Sequence, residues 1–201
     1  MFENALHQFC LFNDNVVSRA ILASPVLYTL YAALAAGIFE ETGRLFCFKV
    51  LLKKREKSDC AVAYGIGHGG IEVVLILGMT YLFMLLAVLG VDFGSEATNE
   101  QMIVAAGSIS LSAACITMFE RISAMMLHIG LSMLVFIAAR EKKYIYLYPL
   151  AILIHAMIDA PAALYQYQVL HSLVVVESVA FIMGIVSLVL GNYMMRRYTN
   201  E

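Results

Sequence analysis

The chain has 201 residues, 62% of them hydrophobic and 14% charged, with a formal net charge of −2. Its mean hydropathy of +0.82 excludes an ordinary soluble domain, which is about half apolar and about a quarter charged. No basic patch with interleaved aromatic residues occurs, so no nucleic acid is expected as a partner. We therefore predict an all-α, polytopic helical bundle embedded in membrane lipid, with a single domain over residues 1–201.

Five apolar segments are each long enough to cross a hydrocarbon core of about 30 Å as a helix. The predicted spans are 22–48, 62–90, 116–139, 144–165 and 172–195. Residues 1–19 mix polar and apolar side chains, which is typical of a segment in the membrane interface. Residues 97–115 are rich in Ala, Ser and Gly, and three interpretations stay open for them: an extra half-span, a short re-entrant helix, or an extension of the third span.

The distribution of basic residues predicts the orientation of these spans. The Lys and Arg residues that follow the first, third and fifth spans are Lys49, Lys53, Lys54, Arg55, Lys57, Arg140, Lys142, Lys143, Arg196 and Arg197. The loops after the second and fourth spans contain no Lys or Arg. Because cytoplasmic loops are enriched in these residues, we expect the N-terminus outside and the C-terminus in the cytoplasm. The membrane is expected to be a bacterial cytoplasmic membrane.

Four of the predicted spans carry ionisable side chains, each of which costs about 2.5–3.5 kcal/mol at the centre of a membrane helix. These side chains are Glu40, Glu41, Arg44, His68, Glu72, Glu120, Arg121, His128, His155 and Asp159. Three pairs have i, i+4 spacing, which places both members on one helix face: Glu40–Arg44, His68–Glu72 and His155–Asp159. One such pair is often only a satisfied ion pair. Four spans with polar groups at matched depths favour a shared functional pocket.

Carboxylates and imidazoles are the chemistry that this pocket offers, since neither an HExxH nor a GxSxG motif occurs. A buried glutamate can take a proton from water, and a histidine can orient that water. A second imidazole can stabilise the oxyanion of a tetrahedral intermediate. The five carboxylates outnumber the two arginines, so protons, an imidazolium or a metal ion must offset the excess negative charge. The sequence leaves these three possibilities open.

Four motifs in chain order resemble those of the YhfC-type intramembrane glutamic peptidases, a family related to the PrsW proteases and to the CAAX-protease and bacteriocin-processing superfamily. The motifs are EETGR at Glu40–Arg44, GHGGIE at Gly67–Glu72, ERISAMMLHIGLS at Glu120–Ser132 and HAMID at His155–Asp159. The resemblance covers about residues 32–165. The four motifs together are specific, whereas the first motif alone is weak.

The resemblance implies a peptidase that cleaves membrane-bound or membrane-proximal peptides. The catalytic candidates are Glu40, Glu41, His68, Glu72, His128, His155 and Asp159. Glu41, or its neighbour Glu40, is implied as the base, and Arg44, Glu120 and Arg121 are predicted to form structural ion pairs. No cofactor is expected, and the alternative is Zn²⁺ held by His128 and His155 with Glu41 or Glu72. Two other functions stay open: a proton- or ion-coupled transporter, and an inactive immunity or binding homologue.

Overall fold

The computed structural model describes residues 2–200, with side chains described from residue 5, and no strand occurs within that range. The prediction of an all-α fold is confirmed. The α-helices are α1 (Phe2–His7), α2 (Val16–Leu22), α3 (Pro25–Phe46), α4 (Asp59–Glu72), α5 (Met79–Val88), α6 (Glu96–Gly107), α7 (Leu111–Arg140), α8 (Leu147–Gln166) and α9 (Leu173–Asn200). The π-helical segments are Gln8–Phe12, Cys47–Leu51 and Val73–Gly78, and a short 3₁₀ helix covers Lys142–Tyr144.

Membrane-spanning length is reached by four or five helical segments. The four that pass by length and composition are Asp59–Val88, Leu111–Arg140, Lys142–Gln166 and Leu173–Asn200. A fifth span is reached only when Val16–Leu22 and Pro25–Leu51, which are bent by 106° from each other, are taken together as one span. Ser24 caps α3 by accepting a hydrogen bond from the Leu27 amide, and Pro25 occupies the first turn, where proline is tolerated. These segments match the five predicted spans.

The ambiguous stretch 97–115 divides into two parts. Residues Glu96–Gly107 form the separate helix α6, which is capped by Ser95 and packs against α5. The next helix, α7, begins at Leu111 with Ser110 as its cap. Residues 111–115 therefore extend the third span, as one of the three interpretations had it, and whether α6 is a half-span or a re-entrant helix stays open.

The helix α7 is the centre of the bundle and packs against α9, α4 and α8, while α3 packs mainly against α8. Small residues permit this close approach, as is usual between helices in lipid. A Cβ atom added at Gly130 would lie 2.3 Å from the backbone carbon of Ser187 on α9. A Cβ atom added at Gly65 would lie 2.6 Å from the Cα atom of Ile129. Glycine at these positions therefore sets the spacing of α9 and α4 from α7.

The three groups of basic residues meet at one end of the bundle, called here the basic end. The Arg140 guanidinium donates hydrogen bonds to the carbonyl oxygens of Phe48, Leu52 and Arg55 at 2.9, 2.8 and 2.7 Å. The ring of Phe136 on α7 lies 6.4 Å from the ring of Tyr198 near the end of α9. The predicted grouping of basic residues on one side is therefore confirmed. Which side of the membrane the basic end faces stays a prediction.

Candidate active site

Two carboxylates and two imidazoles from three helices come together inside the bundle. Glu40 lies on α3, His68 and Glu72 on α4, and His128 on α7. Each offers one potential ligand atom, and these four atoms lie within 4.8 Å of one another. These four residues are called the Glu/His cluster below. The sequence prediction that polar groups from several spans share one pocket is borne out by this geometry.

Short contacts connect every member of the Glu/His cluster. The Nε2 atom of His68 lies 3.2 Å from Oε2 of Glu40 and 3.1 Å from Oε1 of Glu72. The other Glu72 oxygen lies 2.9 Å from Nε2 of His128. The contact between His68 and Glu72 is the i, i+4 pair predicted from the sequence. Glu72 therefore bridges two imidazoles from two different helices.

A completely buried ion pair lies directly behind the Glu/His cluster. One terminal amine of Arg44 donates to both carboxylate oxygens of Glu41 at 2.6 Å, and the other lies 3.0 Å from Nδ1 of His128. The spacing predicted Arg44 beside Glu40, and this interpretation was wrong, because Arg44 pairs with Glu41 at i, i+3. Successive helical residues point about 100° apart, so Glu40 faces α4 and Glu41 faces the interior.

The fixed donors of this buried pair determine where the imidazole protons lie. Since a guanidinium can only donate, Nδ1 of His128 accepts from Arg44, and its Nε2–H donates to Glu72. His155 places its Nδ1 atom 2.8 Å from Oε1 of Glu41, so its Nδ1–H donates to that carboxylate. The Nε2 atom of His155 faces Asp159, at 3.5 Å, and Glu40, at 3.8 Å. The predicted i, i+4 pair of His155 and Asp159 is thus also present.

A cavity of about 610 Å³ leads to these groups. The ionisable residues in its lining are Glu40, Glu72, Glu120, Arg121, His128, His155, Asp159 and Glu177. Glu41 is absent from the lining and completely buried. Of the two adjacent glutamates, Glu40 therefore lines the cavity, and Glu41 lies behind it in contact with His155.

The remaining predicted ion pair lies further along the same cavity. Arg121 and Glu120 contact each other side by side on α7, as predicted. Glu177 on α9, which is not among the candidate residues predicted from the sequence, also lines the cavity. Its position was recoverable in part, because Glu177 lies near the start of α9 while Glu120 lies in the first half of the antiparallel α7. Pairing these two helices brings the two carboxylates to similar depths.

The donor set of the Glu/His cluster fits a zinc ion. Zinc takes imidazole nitrogens and carboxylate oxygens at about 2.0–2.2 Å, which separates tetrahedral ligands by about 3.4 Å. The contacts that His68 makes with Glu40 and Glu72, at 3.2 and 3.1 Å, are close to that spacing. Coordination through Nε2 of His128 requires its proton to move to Nδ1 and Arg44 to turn away. The zinc ligands predicted from the sequence were His128 and His155 with Glu41 or Glu72, and of these only His128 and Glu72 belong to this cluster. Glu41 instead contacts Arg44 and His155 through its carboxylate oxygens.

Comparison with known proteins identifies the family of this chain. The family described as YhfC intramembrane metalloprotease matches residues 1–180. A Bacillus subtilis protein described as uncharacterized membrane protein YhfC is 29% identical over 201 aligned residues, covering 93% of this chain and 76% of that protein. No solved structure matches. The predicted wider relationship to the PrsW and CAAX proteases stays a prediction. The chain belongs to the YhfC intramembrane metalloprotease family.

Proposed function

We propose that this chain is a metal-dependent intramembrane peptidase that hydrolyses peptide bonds of membrane-bound or membrane-proximal substrates. The observation that carries the proposal is the convergence of two carboxylates and two imidazoles from three helices at an open cavity. Ionisable groups in membrane spans are costly and usually mark a functional site. The description of the family as an intramembrane metalloprotease supports the reaction class.

The Glu/His cluster is the proposed metal site. Glu40, His68, Glu72 and His128 would hold a zinc ion, which when bound supplies Lewis-acid polarisation of a carbonyl and a readily deprotonated water. Three of these residues lie on the cavity wall, so a peptide in the cavity reaches the same point. The positive charge of the ion would also offset the excess of carboxylates, which the sequence left without an assigned counter-charge.

His155 is the proposed proton carrier of the reaction. Glu41 accepts its Nδ1–H and fixes the ring, and His155 lines the cavity. In its neutral form the ring would then present the Nε2 lone pair on the side away from Glu41. That atom can receive the proton of the attacking water and return it to the departing amine. The Asp159 carboxylate, 3.5 Å away, stabilises the imidazolium that forms between these steps. Arg44 holds the Glu41 carboxylate in place behind the ring by hydrogen bonds to both of its oxygens.

Two other functions have less support. A metal-free peptidase would use Glu40 as the base, since the oxygens of Glu41 are held by Arg44 and His155. A proton- or ion-coupled transporter needs an access path from its binding site to each side of the membrane. Toward the basic end, completely buried apolar side chains such as Leu134 and Phe136 fill the bundle. An inactive binding homologue would keep the polar groups but show no hydrolysis.

The test is a comparison of protein N-termini in the membranes of cells that express the wild-type chain or Glu40→Gln. We expect new N-termini in membrane proteins with the wild-type chain and their loss with Glu40→Gln. The matched control is Glu100→Gln, which changes an exposed glutamate of α6 outside the cavity and should behave like wild type. Identical sets of N-termini from wild type and Glu40→Gln would contradict the proposal.

A further inference from the structure

We propose that the active-site cavity opens only toward the non-cytoplasmic face of the membrane, so that the substrates are peptide segments at the outer surface of membrane proteins. The direction of opening is inferred from packing and charge alone. The substrate class rests in addition on the proposed function. The two parts are therefore tested by separate measurements.

The half of the bundle nearest the basic end is filled with apolar side chains. Residues Leu134–Ala138 of α7 are almost completely buried there, as are Leu147 and Ala151 of α8. Phe48 of the π-helical segment Cys47–Leu51 and Met194 of α9 belong to the same packed core. A groove of about 460 Å³ does occur at this end, but only residues of the α3–α4 loop and the start of α4 line it. None of its lining residues belongs to the Glu/His cluster.

The opposite half of the bundle contains the cavity. Beyond the Glu/His cluster, its wall is formed by the last turns of α8, the first turns of α9 and the first half of α7. Small side chains such as Ala32, Ala36 and Ala162 leave the space open. The wall reaches Gln166, the last residue of α8, and Leu173, the first residue of α9. The cavity therefore extends from the cluster to the end of the bundle opposite the basic end.

The charges assign these two ends to the two sides of the membrane. Ten of the thirteen Lys and Arg residues lie at the basic end, and the connections 89–110 and 167–172 at the opposite end contain none. Short loops rich in Lys and Arg face the cytoplasm. The open end of the cavity therefore faces outward, and the cytoplasmic side is closed by the packed core.

Polar atoms in the outer part of the cavity suit a peptide backbone. Nε of Arg121 and Oε2 of Glu177 are buried, and neither has a hydrogen-bond partner among the described residues. Both residues line the cavity. An unsatisfied buried donor or acceptor costs about 1–3 kcal/mol, and an extended peptide offers both a carbonyl acceptor and an amide donor. A bound segment would satisfy both atoms, which favours a peptide as the occupant.

Thiol accessibility tests the direction of opening without any need for activity. The cysteines Cys10, Cys47, Cys60 and Cys115 are all unpaired and are first replaced by serine. Single cysteines are then introduced as Ala162→Cys or Gln166→Cys in the cavity wall, or as Lys54→Cys at the basic end. A membrane-impermeant maleimide is applied to intact cells and to permeabilised cells, and each variant is first checked for a monodisperse elution profile.

We expect both cavity variants to be labelled in intact cells and Lys54→Cys only after permeabilisation. The reverse pattern, or labelling of both cavity variants only after permeabilisation, would overturn the proposed opening. The substrate class is tested by the positions of cleavage sites that depend on Glu40. Sites in non-cytoplasmic segments support it, and sites in cytoplasmic segments overturn it. An absence of cleavage with the expected labelling would refute the proposed function while leaving the direction of opening intact.

Discussion

Replacement of Arg44 by leucine should destabilise the fold strongly. Arg44 is completely buried, and it donates two hydrogen bonds to the Glu41 carboxylate and a third to His128. Removing one partner of a buried ion pair costs about 3–5 kcal/mol, because the other charge is left without compensation. The total stability of a folded domain is only about 5–15 kcal/mol. The single change therefore removes a large fraction of that stability.

Thermal unfolding in detergent, followed by the loss of the monodisperse elution peak, measures this effect. Arg19→Leu is the matched control, since Arg19 makes an exposed pair with Asp14 and such pairs contribute at most about 1 kcal/mol. The double variant Glu41→Leu/Arg44→Leu removes both charges and should be more stable than Arg44→Leu alone. Equal stability of Arg44→Leu and Arg19→Leu would refute the reasoning that the buried pair holds α3 in place.

Two further predictions separate packing from chemistry. Gly130→Leu should lower the free energy of unfolding by at least about 1–3 kcal/mol, because the new side chain meets the α9 backbone. Gly107→Leu is the control and should leave stability unchanged, because the space around a Cβ atom at that position is open. Equal melting temperatures of the two variants would count against the close packing of α7 and α9. His155→Gln should keep stoichiometric zinc, measured by mass spectrometry of the purified protein, yet reduce hydrolysis by about 10²–10⁴-fold. If His155→Gln lost its zinc and His68→Gln kept it, the proposed roles would be reversed: His155 would be the zinc ligand and His68 would not.

Hydropathy and charge were sufficient to predict the architecture of the bundle. The lengths of the apolar segments predicted the spans, because a membrane helix must cover a fixed thickness of hydrocarbon. The positions of the basic residues predicted which loops lie together at one end of the bundle. The i, i+4 rule predicted the contacts of His68 with Glu72 and of His155 with Asp159, since both members of each pair lie on one helix. These features depend on local spacing, which the sequence records directly.

The individual side-chain partners within the shared pocket could not be predicted, because they depend on how the helices pack against one another. Glu40 and Glu41 are adjacent, and only the packing of α3 against its neighbours decides which of them faces the cavity. Arg44 can reach either glutamate by spacing, and it pairs with Glu41 because both are directed into the interior. Glu177 gave no local signal, because its neighbours in the cavity belong to a different helix.

The central claim is that the Glu/His cluster is a metal-dependent peptidase site. Hydrolysis, by the purified protein in detergent, of a membrane protein identified in the comparison of N-termini tests it most directly. Wild-type protein, Glu40→Gln and Glu100→Gln are compared before and after exhaustive treatment with a strong chelator. The proposal predicts hydrolysis by wild type and Glu100→Gln, its loss on chelation, its restoration by stoichiometric zinc, and no hydrolysis by Glu40→Gln. Hydrolysis that survives chelation would contradict the metal-dependent mechanism, and equal rates for wild type and Glu40→Gln would contradict the site itself.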